Sequence, residues 1–150
     1  MNETIKSIHD LLLRDLNRLT NEIESYTNEA DLWKLAGDIN NTAGNLCLHL
    51  CGNLQHFIGA IIGKNGYIRK RDDEFTLKNV PRAELLQQIK DTKLSVADTL
   101  EAFNGKLMEE AYPIEVFKKP MSHISFLIHL SGHLNYHLGQ INYHRRILEL

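Results

Sequence analysis

The first apolar positions of the chain, Ile5, Ile8, Leu12, Leu16, Leu19 and Ile23, recur every three or four residues. That spacing predicts an amphipathic helix from about 2 to 26. Asp31 to Asp38, with the only tryptophan (Trp33) and Gly37, reads as a connection. A second stripe, Ala43, Leu46, Leu50, Leu54, Phe57 and Ile61, predicts a helix over about 40–61. Asn40, Asn41 and Thr42 offer capping oxygens at its start, and Gly63 a stop at its end. Lys64 to Val80 has no helical stripe, and its Asn65-Gly66 is a turn signal. Pro81 suits the first turn of a third helix reaching about 103 through Leu85, Leu86, Ile89, Val96 and Leu100, and Asn104-Gly105 ends it. A loop through Tyr112-Pro113 and Lys119-Pro120 leads to a fourth helix over about 122–148. Strand alternation is weak throughout. The expected fold is all-α, a single domain over 1–150 built as a four-helix bundle. Its connections are long, the one between helices two and three most of all, so a simple up-and-down order is not required.

The fourth helix raises a chemical question. It carries His129, His133 and His137 in "HLSGHLNYH", with His144 one turn further on from Gln140. Each helical residue turns by about 100°, so all of them and Gln140 share one narrow strip bordering the apolar face. His133 and His137 form His-x-x-x-His, which brings two imidazoles to one side within reach of a single ion. Two ligands rarely suffice, and the second helix offers a third in His49, which also borders its apolar face. Asn53 and His56 lie on the same side of that helix. Cys47 and Cys51 fall on the opposite side and are poor candidates for the same ion. The expected metal set is therefore His49, His133 and His137, leaving one or more coordination positions open, as catalytic metals require. Asn53, His56, His129 and Gln140 are expected pocket or supporting residues, as is His144, while His9 and His123 read as ordinary helix residues.

Composition narrows the classes. Eight histidines are unusual, with five in the last thirty residues, but 24% charged residues and a net charge of -2 are not. The basic field that nucleic-acid binding needs is missing. No apolar run nears the roughly 18 residues of a membrane span. The polar opening Met1-Asn2-Glu3-Thr4 lacks the form of a signal peptide, and two cysteines do not make a disulfide scaffold; a cytoplasmic protein is expected. There is no His-Glu-x-x-His, Glu-x-x-His, Gly-x-Ser-x-Gly or Walker motif, so zincin, di-iron, serine hydrolase and P-loop chemistries do not fit.

Three blocks carry a resemblance: "NTAGNLCLHLCGNLQHFI" (Asn41 to Ile58), "IRKRDDEF" (Ile68 to Phe75) and "HLNYHLGQINYHRRIL" (His133 to Leu148). Together they resemble the DinB-like (DinB/YfiT-like) superfamily of four-helix-bundle metalloenzymes, whose His-x-x-x-His-x-Gly-Gln pattern is reproduced by His133, His137, Gly139 and Gln140. The resemblance implies a long crossover between helices two and three. It also implies a divalent metal on His49, His133 and His137, and a homodimer formed through helix faces. Characterised relatives of this kind include transferases using low-molecular-weight thiols such as bacillithiol or mycothiol.

The expected activity is accordingly metal-dependent, most simply transfer of a thiol to a small electrophile; hydrolysis, or a non-catalytic metal- or ligand-binding bundle, are the alternatives. The nucleophile is expected to be a water or thiol acidified by the ion. No carboxylate stands on the helix-two or helix-four strip as a general base. Imidazole ligands suit several transition metals; zinc is expected first and nickel next. Arg69 to Phe75 is expected either as a solvated loop with weak ion pairs or as part of a pocket or dimer interface.

Overall fold

The computed structural model describes all of residues 1–150 and is all-helical. Five α-helices follow in order: α1 (Glu3–Ser25), α2 (Ala43–Leu54), α3 (Arg71–Thr76), α4 (Arg82–Glu101) and α5 (His123–Leu148). No strand forms, and one antiparallel bridge joins Ala111 to Ser122. Side-chain oxygens start three of the helices. Asn2 accepts from the Ile5 amide at 2.9 Å, Thr42 from Asn45 at 3.1 Å, and Ser122 from Ser125 at 3.2 Å, each satisfying an otherwise unpaired first-turn amide.

The packing pairs follow from where the apolar stripes point. α1 packs on α4 and α5; α2 packs on the same two helices from the other side and also carries α3. α1 is amphipathic, burying Ile5, Ile8, Leu12, Leu16, Leu19 and Ile23. α2 is different, because all twelve of its residues are buried. A helix surrounded on every side needs small residues where neighbours come close. A Cβ on Gly44 would stand 2.7 Å from the Trp33 ring, and one on Gly52 2.7 Å from Glu74 Cδ.

Two sequence expectations are corrected here, and a third, the connection at Asp31–Asp38, stands with added detail. Lys64 to Val80 is not free of helix, since α3 lies within it; six residues are too short to show a periodic stripe. The Asp31–Asp38 connection contains the end of a 3₁₀ turn, Glu29–Trp33, with the Asn28 side chain accepting from Ala30 at 3.1 Å. The second helix begins at Ala43 rather than near 40, and beyond Leu54 it continues as a π-helix, Gln55–Ile62. The Tyr112 hydroxyl donates to the Phe57 carbonyl of this segment at 2.6 Å.

His144 serves the fold. Its Nδ1 accepts from the Tyr26 hydroxyl at 2.6 Å, and its Nε2–H donates to the Lys34 carbonyl at 2.7 Å. It thereby ties α5 to the end of α1 and to the connection that follows. Tyr26→Phe leaves the buried Nδ1 unpaired, and we expect urea denaturation to show a loss of about 1–3 kcal/mol. Metal content should be unchanged in this variant; a fall would place His144 in the site.

Candidate metal centre

His49 stands at the middle of α2, and His133 and His137 stand one turn apart on α5. The two helices run antiparallel, so that Phe57 meets Phe126 with ring centroids 5.1 Å apart while His49 meets His133 at 5.0 Å and His137 at 5.3 Å. One ring nitrogen from each of the three lies within 4.8 Å of the others, forming the cluster able to hold a metal ion. The closest pair, His49 Nε2 and His133 Nε2, is 3.1 Å apart. Nitrogens at the usual 2.0–2.1 Å from a tetrahedral zinc lie about 3.3 Å from one another. The donor set therefore fits a divalent transition ion in kind, and its closest pair stands at the spacing such an ion requires.

The outer ring nitrogens fix which way each imidazole faces. His49 Nδ1–H donates to Glu74 Oε1 at 3.0 Å, because a carboxylate can only accept; Nε2 is thus left with its lone pair toward the other histidines. His137 Nδ1–H likewise donates to Gln140 Oε1 at 2.6 Å. His133 Nδ1 is buried with no partner. Such outer hydrogen bonds are the usual means by which metal-ligating histidines are oriented.

Glu74 is the site residue that sequence reasoning missed. Neither predicted strip carries a carboxylate, yet α3 delivers one from the segment between helices two and four. Arg69 holds it in a two-pronged ion pair, Nε to Oε2 at 2.8 Å and Nη2 to Oε1 at 2.9 Å. The Arg69 guanidinium lies over the Phe57 ring, 5.7 Å from its centre. The sequence signals were the charge run Arg69–Glu74, which by itself reads equally well as a solvated loop, and the resemblance of Ile68–Phe75, which left a pocket role open without singling out Glu74.

The remaining expected residues divide. Gln140 is where it was expected, against His137. Asn53 is buried, one turn beyond His49, with its Oδ1 unpaired. His129 is exposed, its ring 6.2 Å from that of His133 and 4.8 Å from Phe117; it is outside the ligand cluster. His56 lies on the π-helical segment, half-buried against Phe57 at 4.7 Å, and is also outside it. Cys47 and Cys51 are free, buried thiols apart from the three histidines. Gln140 also lines a cavity of about 380 Å³, together with Asp38, Ile39, Leu46, Tyr143 and Ile147.

Burial sets the charge state of the centre. It pushes His133 down to about 4, helped by the neighbouring His137, His49, His129 and Arg69. His137 is lowered too, since burial outweighs the hydrogen bond to Gln140. Burial alone would raise Glu74, but the hydrogen bonds from His49 and Arg69 together hold its carboxyl below the usual range. Between pH about 6.5 and 4 the unfolded chain therefore binds a proton at position 133 that the folded, metal-free protein refuses. Stability rises with pH across that window and is complete above it. Chemical denaturation of chelator-treated protein should show this loss beginning below pH 6.5. His133→Gln should flatten the slope between pH 6.5 and 4, and an unchanged slope would assign it to other groups.

No curated protein matches the chain. A family model described as protein of unknown function (DUF1572) matches residues 2–149. With nearly every residue covered, and the three histidines inside the match, the chain belongs to the DUF1572 family.

Proposed function

We propose that this protein is a divalent-metal-dependent enzyme that transfers a low-molecular-weight thiol to a small electrophile, with His49, His133 and His137 as the metal ligands. The observation that carries the proposal is the convergence of three ring nitrogens within 4.8 Å, two of their histidines backed by hydrogen bonds on the opposite nitrogen. A divalent ion on three neutral imidazoles keeps its full charge and lowers the pKa of a water or thiol bound beside them. Glu74 and Gln140 hold His49 and His137 with the metal-facing nitrogen unprotonated. Burial keeps the His133 and His137 rings neutral at pH 7, so metal capture there does not have to displace protons. Thiol transfer is favoured over hydrolysis because the one carboxylate at the centre is committed to His49 and Arg69. It is not free to take a proton from an attacking water.

The fold that goes with this reading is a single-domain four-helix bundle of the DinB/YfiT-like type, residues 63–81 forming the long crossover. Its support is the pairing of α1 with α4 and α5, and of α2 with the same two helices. We further propose a homodimer, because the outer face of α5 exposes Ile128, Tyr136, Tyr143 and Ile147 along its length. No helix is long and apolar enough to cross a membrane, and the unpaired buried Cys47 and Cys51 accord with a reducing cytoplasm. Zinc is the first metal to test and nickel the second.

Protein purified without an affinity tag should contain about one transition-metal ion per chain by elemental analysis. His49→Ala, His133→Ala and His137→Ala should each lose it; full metal content in any of them would remove that residue from the set. Chelator-sensitive conjugation of bacillithiol or mycothiol to monochlorobimane is the expected activity, and chelator-sensitive ester cleavage without it would move the assignment to hydrolysis. Tyr136→Asp combined with Tyr143→Asp should sediment as a monomer where the parent protein sediments as a dimer.

A further inference from the structure

The three ligand imidazoles are supported unequally: a carboxylate stands behind His49, an amide behind His137, and His133 has no outer partner. The carboxylate is also the only one of these supports that does not belong to α2 or α5. Glu74 sits in α3, which is held on α2 by the Phe75 ring, 4.9 Å from that of His49, and by a set of hydrogen bonds. The Asn45 side-chain amide donates to the Glu74 carbonyl at 3.0 Å and to the Leu77 carbonyl at 2.8 Å, while Lys78 donates to the same Asn45 through its side-chain oxygen. Gly52 leaves the space that the Glu74 carboxyl fills. Arg69, stacked on Phe57, supplies the counter-charge.

We propose that Glu74 is the positioning residue of the metal centre, and that through His49 it couples metal occupancy to the docking of residues 68–78 on α2. The argument has two parts. A carboxylate accepting from Nδ1–H selects the tautomer in which Nε2 is the ligand atom and makes that nitrogen a stronger donor. Linkage then works in both directions: whatever favours a bound ion at His49 favours the docked α3, and undocking weakens the ion by the same factor. Asn45, His49 and Asn53 occupy successive turns of one buried row on α2, and two of the three are engaged by this one segment. The docked segment is thus part of the site. The proposal rests on the three-histidine reading above.

The test uses the full-length protein and zinc as the probe. Zinc affinity is measured by competition with a chromophoric chelator for wild type, Glu74→Gln, Glu74→Asp and Gly52→Ala. Amide exchange over 68–78 is followed with and without zinc, and the metal-free His49 ring nitrogens by NMR. The wild type should show Nδ1-protonated His49 and slower exchange in this segment when zinc is added. Glu74→Gln and Gly52→Ala should bind zinc about 10–100-fold more weakly and lose most of the zinc-dependent protection, with Glu74→Asp recovering part of the affinity. Wild-type affinity in Glu74→Gln and Gly52→Ala, or equal protection with and without zinc, would overturn the coupling while leaving the three-histidine site intact. Failure of the wild type itself to bind zinc, nickel or another transition ion would instead overturn the reading on which it rests. A Glu74 that merely stabilised the fold would lower the melting temperature of Glu74→Gln without moving the His49 ring-nitrogen shifts or the zinc-dependent exchange, so that result also counts against the proposal.

Discussion

The structure depends on the burial of polar side chains along one helix. α2 has no solvent face, yet it carries Asn45, His49 and Asn53 at four-residue intervals. Leaving such groups without partners in an apolar interior costs several kcal/mol in total. The apolar helices alone do not meet that demand. The segment that crosses from α2 to α4 therefore bends back as α3, and brings the Glu74 and Leu77 carbonyls to Asn45 and a carboxylate to His49. Arg69 in turn compensates that carboxylate, since a buried charge without a partner would be worse than the unpaired imidazole it was placed to satisfy.

The same burial shapes the chemistry of the centre. Three histidines near one another on an exposed surface would be protonated by turns and would repel. Here, low solvation and mutual proximity keep His133 and His137 neutral at physiological pH. Neutral imidazoles are competent donors, and at His49 and His137 an outer hydrogen bond also fixes the tautomer. The antiparallel packing of α5 against α2 does the rest, setting the His49 ring 5.0 Å from His133 and 5.3 Å from His137.

What could be read from the chain was whatever obeyed a period. The stripes of α1, α4 and α5 gave the long helices nearly to their ends, and the 100° turn placed His49, His133, His137 and Gln140 on facing strips. Features without a period were not legible. α3 spans too few residues to show one, so Glu74 was lost in a run of mixed charges. The π-helical segment after Leu54 has ordinary helical composition, so nothing in the sequence marked the change of turn there. His129 was read correctly as lying on the strip. Its exposure was not legible, because position on a helix does not say how far a neighbouring helix extends over it. His144 resembled a site residue and is a structural tie, a distinction that rests on Tyr26 and Lys34, more than a hundred residues away.

Complete burial of α2 also limits how such a protein can vary. Every side chain on that helix touches a neighbour, and Gly44 and Gly52 leave no room even for a methyl group. The helix that carries His49 is thus closed to gradual variation. Variation is accommodated elsewhere, along the outer turns of α5 and in the connecting segment at 36–41, where most side chains are exposed. The protein separates a part that must stay fixed around the buried row on α2 from a part free to diversify at its surface.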